Sequence, residues 1–173
     1  MKFIRMNDVK STCWSKAWKI YINSFPLFEQ RKIEDQIEIL KDYRYHCIVV
    51  CEEESIIGIL FYWEWDNYIY IEHLAISSDL RGRNYGSKIL KEFCKNNKCI
   101  ILEIDPPVDD ISIKRLKFYS NLEFRLQEFD HVHPPYRKGY KGHNLKVLGY
   151  NIILSKRNYD DFNTFLKEEI MKC

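Results

Sequence analysis

The sequence has no apolar run of the roughly 20 residues that a membrane-crossing helix needs. At its start, Lys2 and Arg5 bracket only Phe3 and Ile4, so Met1 to Asp8 holds no signal-type hydrophobic core. At its end, Met171-Lys172-Cys173 is not a prenylation box. None of the six cysteines, Cys13, Cys47, Cys51, Cys94, Cys99 and Cys173, forms a Cys-x-x-Cys pair. Reduced thiols and a cytoplasmic location are therefore the expectation, with no membrane partner. The formal charge is only +2. It gives no electrostatic case for a nucleic-acid partner, and none is expected. Glycine and proline are few, 6 and 5, and no linker, internal repeat or low-complexity segment divides the chain.

What is present points to one folded domain over residues 1–173. Hydrophobic residues make up 46% of the chain and charged residues 30%. A chain of this size buries a sizeable core without disulfides or metal.

The apolar pattern predicts a first strand over Lys2 to Met6 and a helix over Thr12 to Ser24, which Pro26 stops. A second helix is predicted from Arg31 to Leu40, with Ile33, Ile37 and Leu40 on its inner side. His46 to Cys51, Ile56 to Glu64 and Tyr68 to Ile76 read as three strands. The short turns between them predict an antiparallel meander. Tyr85 to Lys95 has a helical stripe of Ile89, Leu90, Phe93 and Cys94. Cys99 to Ile104 reads as a strand, and Asp110 is placed to cap a helix from Ile111 to Ser120. Phe124 to Asp130 and Leu145 to Leu154 read as strands around a basic loop, before a last helix over Asn158 to Met171. The order β-α-α-β-β-β-α-β-α-β-β, closed by that helix, is an α+β layered domain.

The informative segment runs from Ala75 to Ser87, where a strand ends, a polar loop turns and an amphipathic helix begins. The first amides of such a helix lack partners and carry the positive end of its dipole, so they bind pyrophosphate well. Gly82 and Gly86 let the backbone come close, and Arg81 and Arg83 add positive charge. An ordinary strand-to-helix turn with two solvated arginines would look similar.

The stretch Arg81, Gly82, Arg83, Asn84, Tyr85, Gly86 resembles the acetyl-CoA signature of the GNAT superfamily. That signature reads Arg or Gln, two residues, Gly, any residue, then Gly or Ala. Asn84 replaces the usual glycine, a mild departure because Asn tolerates left-handed backbone. Further on, Tyr119, Ser120, Asn121, Leu122, Glu123, Phe124 resembles the family's next helix exit. Glu123 stands where the family has Gly, so that turn must differ or carry strain. Ser112 stands where many relatives have Asn.

The resemblance implies a GNAT-like mixed, mainly antiparallel central sheet flanked by helices on both faces. It implies transfer of an acetyl group from acetyl-CoA to a primary amine by direct attack, without a metal. Acetyl-CoA is then the acyl-donor substrate, an amine of a small molecule or peptide is the acceptor, and a homodimer is allowed. By the same resemblance, Leu74, Ala75, Ile76, Ser112 and the loop residues Arg81, Gly82, Arg83, Asn84, Tyr85, Gly86 and Ser87 contact the donor. Tyr119 matches the family's general acid for the leaving thiolate. Glu72 and Tyr70 stand where some relatives carry a base, with Glu72 the first choice.

Strict alternation along Tyr68 to Ile76 puts Tyr70, Glu72, Leu74 and Ile76 on one face. It puts Ile69, Ile71, His73 and Ala75 on the other, where His73 reads as a packed core residue. Packing alone would also explain Tyr119, and a salt bridge Glu72. His131, His133 and His143 lack the fixed spacing of a zinc site. A non-catalytic acyl-CoA-binding sensor or regulatory module is the alternative function. The acceptor pocket is expected from Trp14 to Leu40 and from His131 to Asn144. Aromatic residues there, such as Phe28 and Tyr136, suit a partly apolar amine.

Overall fold

β-Branched and aromatic runs supply the strands, and the computed structural model, which describes residues 1–95 and 98–172, pairs them into a sheet. Its strands are β1 (Lys2–Arg5), β2 (Tyr45–Glu52), β3 (Ser55–Trp65), β4 (Tyr68–Ile76), β5 (Cys99–Ile104), β6 (Arg125–Leu126), β7 (His131–His133) and β8 (His143–Tyr150). They lie in the order β1-β2-β3-β4-β5-β8-β6, with β7 paired to β8. Among the described pairings only β4 with β5 is parallel. A parallel pair needs a crossover, and helix α3 (Tyr85–Cys94) provides it.

Helices cover both faces of this mixed, mainly antiparallel sheet. On one face α1 (Trp14–Ser24), α2 (Ile33–Ile39) and α5 (Lys156–Phe165) enclose Tyr21, Tyr45, Phe61, Trp63 and Phe162. On the other, α3 and α4 (Asp110–Ser120) enclose Ile89, Leu90, Ile100, Leu102 and Leu148. Each such large side chain contributes roughly 1.5–3 kcal/mol when fully buried. The five cysteines among the described residues are free thiols, and Cys173 lies outside them. No described helix is long and apolar enough to cross a membrane.

Several boundaries differ from expectation for physical reasons. Helix α2 turns Gln36, Ile39 and Leu40 inward and leaves Ile33 and Ile37 39% and 37% exposed. Gln36 is tolerated inside because its Nε2 donates to the Tyr45 hydroxyl at 2.8 Å. Asp109, not Asp110, caps α4, accepting from the amides of Ile111 and Ser112. The run Phe124 to Asp130 pairs only at Arg125–Leu126, and β7 forms inside the expected basic loop by pairing with the start of β8. β8 stops at Tyr150 rather than Leu154. Asn151 takes a φ of 55°, and the Ile152 carbonyl folds back to 2.9 Å from where a Gly149 Cβ would sit.

The difference with most consequence lies in β4. Phe61 pairs with His73, but the next residue of β3, Tyr62, pairs with Ile71, so Glu72 is a bulge. One extra residue inverts the alternation beyond it. Leu74 and Ile76 therefore join Ile69 and Ile71 on the α3 side, while Ala75 joins Tyr70 on the α1 side. His73 also turns to the α1 side, edge-on to Tyr21 and Phe25 at ring distances of 4.8 and 4.6 Å. Strict alternation had divided these residues the other way.

Candidate active site

The parallel pairing of β4 with β5 runs from Tyr68–Cys99 to Ile71–Leu102 and stops there. Beyond Ile71 the two strands separate. On its other edge β4 stays paired with β3, and the Ser77 amide just past its end donates to the Ile57 carbonyl at 3.0 Å. Backbone amides alternate sides along a strand, so those of Leu74 and Ile76 face the gap. A cavity of about 580 Å³ opens there, lined among others by Glu29, Leu74, Ile76, Glu103, Tyr119 and His133.

Below the gap the chain leaves β4, turns through Arg81 and Gly82, and enters α3. Gly82 has a φ of 76° and Asn84 a φ of 63°, both left-handed, so Asn84 does the work of the glycine it replaces. No side chain caps α3, which leaves the amides of its first turn directed outward. A second hollow, of about 330 Å³, is lined by Arg81, Gly82, Asn84, Tyr85, Gly86 and Ser87, among others. A Cβ on Gly86 would lie 3.3 Å from Phe118. The Arg81 guanidinium is anchored by the Ile76 carbonyl and the Ser24 hydroxyl at 3.2 and 3.0 Å. The Tyr85 hydroxyl donates to Glu52 at 2.8 Å. Arg83 is exposed and does not line this hollow.

Tyr119, near the end of α4, reaches the larger cavity between Phe118 and Phe124, with ring distances of 5.0 and 5.6 Å. Burial pushes its phenol up to about 12. At neutral pH it therefore holds a proton that it can donate. Ser112 lies elsewhere. Its hydroxyl accepts from the amides of Val108 and Asp109 at 3.1 Å each, as part of the α4 cap, and it lines neither cavity. The expectation that it touches a ligand rests on a position that the helix start occupies for itself.

A sequence model described as the Acetyltransferase (GNAT) family matches residues 11–124. The chain belongs to the GNAT acetyltransferase family. YjbC of Bacillus subtilis (strain 168), provisionally named an acetyltransferase, is 32% identical over 105 residues, covering 58% of this chain and 52% of the relative. The chain thus matches about half the length of that relative. A Bacteroides thetaiotaomicron protein, provisionally named a GNAT-family acetyltransferase, shares the fold over 100% of this chain and 99% of its own, with a TM-score of 0.94 at 24% identity. The Escherichia coli ribosomal-protein-S18-alanine N-acetyltransferase covers 91% of this chain and 97% of its own, with a TM-score of 0.57 at 12% identity.

Against this GNAT frame, the residues expected to accept a proton are engaged otherwise. The Glu72 carboxylate is enclosed, with Arg31 on Oε1 and Trp63 Nε1 donating to Oε2 at 3.0 Å. Burial alone would raise its pKa, but the Arg31 guanidinium and His73 outweigh burial and hold it below the usual carboxylate range. Both oxygens are occupied and proton affinity is low, which is an obstacle to the base role expected of it. The Tyr70 hydroxyl is buried and donates to Glu103. Burial first, and then the neighbouring Glu103, push Tyr70 well above the ordinary phenol range, so it too stays protonated.

Three charged side chains in or beside the cavity had no motif to announce them. Arg31 comes from the short approach to α2 and is buried against Glu72, the Ile170 carbonyl and the Tyr136 ring. Glu103 takes bonds from Tyr70 and His131, and His131 Nδ1 in turn meets the Tyr159 hydroxyl at 3.0 Å. Glu29 reaches the cavity from a single 3-10 turn, Leu27–Glu29. Each depends on a contact distant in sequence, and nothing in the sequence pattern singled them out. His133 and His143 line the cavity, with ring centroids 5.5 Å apart, and the buried His133 Nε2 makes no hydrogen bond among the described residues, with Glu103 Oε2 3.7 Å away. Among those residues no group of three or more His, Cys, Asp or Glu is arranged to hold a metal.

Proposed function

We propose that the protein transfers an acetyl group from acetyl-CoA to a primary amine of a small molecule or peptide by direct attack. The observation that carries this reading is the gap between β4 and β5, with α3 opening below it and Tyr119 beside it. The pyrophosphate would lie on the first amides of α3, where the helix dipole and Arg81 favour negative charge. Pantetheine would follow the free edge of β4. The Leu74 or Ile76 amide would polarise the thioester carbonyl as negative charge develops on its oxygen. The amine nitrogen attacks the carbonyl carbon, the carbon–sulfur bond breaks, and the sulfur takes the electron pair. Tyr119 supplies that sulfur with a proton.

The acceptor would enter between the α1 side and the β7–β8 hairpin, past Phe28, Tyr136 and His143. Aromatic walls with Glu29 and Glu103 at the same cavity suit a cationic amine better than an anion.

One observation favours the other reading, a module that binds acyl-CoA without turnover: the expected base Glu72 is locked in an ion pair. Incubation with acetyl-CoA and a panel of primary amines separates the two. Amine-dependent release of free CoA, with the acetylated amine identified by mass, supports catalysis. Tight acetyl-CoA binding without release across the panel supports the sensor.

A further inference from the structure

The cavity holds a carboxylate that the motifs do not reach. Glu29 ends the turn Leu27–Glu29, between α1 and α2, and lines the cavity that also holds Tyr119 and the free edge of β4. Its backbone is fixed at both ends. Its amide donates to the Pro26 carbonyl at 2.9 Å, and its carbonyl meets His73 Nε2 at 3.1 Å. It is partly buried, unlike the enclosed Glu72, so an incoming ligand can reach it.

Its surroundings explain how it could work at neutral pH. Burial raises its proton affinity first, and the Asp105 and Glu103 carboxylates raise it further against the opposing charge of Arg115. Arg115 is itself paired with Asp105, which blunts that opposition. Together these push Glu29 up to about 7. The other titratable or charged groups on the cavity wall are Glu72, paired with Arg31, together with Arg81, the phenols Tyr70, Tyr119 and Tyr136, and the imidazoles His73, His133 and His143. Burial, opposed in part by Glu72, lowers His73 to about 4, so it is neutral and adds no charge beside Glu29.

We propose that Glu29, not Glu72, is the general base that takes the proton from the acceptor ammonium. This rests on the acetyltransferase reading above. The proton passes from the ammonium nitrogen to the Glu29 carboxylate, leaving a neutral amine. The amine lone pair forms the carbon–nitrogen bond, and the carbon–sulfur bond breaks. Tyr119 gives its proton to the departing sulfur and recovers one from the nitrogen that now carries the acetyl group. Glu29 returns its proton to solvent, so the balance is one ammonium and one thioester in, and one amide, one thiol and one proton out. Glu72 then acts as a positioning residue: it holds Arg31 and the bulge that aims the end of β4.

The test is a pH–rate profile of kcat/KM for wild type and Glu29→Gln on an amine that releases CoA. Wild type should level off above about pH 7. Glu29→Gln can use only amine that is already neutral, so it should be down at least about 100-fold at pH 7 and climb until the amine's own pKa. Glu29→Asp should recover part of the loss, and acetyl-CoA affinity should be unchanged in both variants. A Glu29→Gln profile parallel to wild type, or one in which only Glu103→Gln removes the levelling, would overturn the assignment. A readout without turnover can still overturn the assignment even if no tested amine is acetylated. In a carbon-13 NMR titration of the carboxyl groups, one glutamate should titrate near pH 7 in wild type and be missing from Glu29→Gln. If the missing signal titrates in the ordinary range near 4.5, Glu29 is not the base. Failure of CoA release across the amine panel, with that titration intact, would count against N-acetyl transfer and not against the state of Glu29.

Discussion

Glu72 and Arg31 form an ion pair in which the two side chains are 0% and 3% exposed. The pair joins the β4 bulge to the chain just ahead of α2, and through the Ile170 carbonyl to the end of the chain described. Arg31 gains proton affinity from Glu72 against the cost of its burial, so both partners are charged across the ordinary pH range.

Removing one partner leaves the other charge buried without compensation. Glu72→Gln should therefore cost about 3–5 kcal/mol of stability, well beyond an exposed pair. A carboxyl with a lowered folded pKa contributes its stability above the unfolded value and loses it as pH falls through the folded one. The gap between wild type and Glu72→Gln in urea titrations should thus be full at pH 7 and close in acid. A gap under about 1 kcal/mol at pH 7 would mean that the pair is energetically neutral.

Glu29 has the opposite sign. Its folded pKa of about 7 lies above its ordinary value of 4.5. The folded state then binds more protons than the unfolded state between those two values, so this group's contribution falls as pH rises through that window. Glu29→Gln should be more stable than wild type at pH 8, by about 1–2 kcal/mol after allowance for solvent screening. Below about pH 4.5, where the carboxyl is protonated in both states, the difference should vanish. Equal melting temperatures at pH 8 would contradict this.

Gly86 lines the α3 hollow. A Cβ there already stands 3.3 Å from Phe118, so the two extra methyls of valine would crowd the hollow that both residues line. Gly86→Val should weaken acetyl-CoA binding by at least about tenfold, or roughly 1.4 kcal/mol, with the far-ultraviolet spectrum unchanged. Calorimetry returning the wild-type affinity would remove the anion site from the start of α3.

Local signals carried much of the architecture. The β2–β3–β4 meander, the amphipathic stripe of α3 and the loop between β4 and α3 follow from periodicity and turn chemistry, and each lies where expected. Glu123 shows how far a motif departure can be read. It takes a φ of 69°, so the chain kept the turn and accepted a conformation costing about 1–2 kcal/mol. The bulge at Glu72 could not be read, because a one-residue register shift leaves no trace in composition and reverses every face assignment after it. The split of Phe124 to Asp130 escaped for a related reason: β7 exists only because β8 returns to pair with it. At the site, Tyr119 and the loop were visible through their motifs. Arg31, Glu103 and Glu29 were not, since each owes its place to a partner far away in sequence, Glu72, His131 and His73 in turn.

The most direct measurement is the turnover of Tyr119→Phe on an accepted amine. The ring remains, so its contacts with Phe118 and Phe124 are preserved, and only the hydroxyl is lost. If the cavity beside the β4–β5 gap is where the thiolate leaves, kcat should fall about 100- to 10,000-fold, with acetyl-CoA affinity unchanged. A Tyr119→Phe enzyme with wild-type kcat across the pH range would contradict the account and leave Tyr119 as a packing residue.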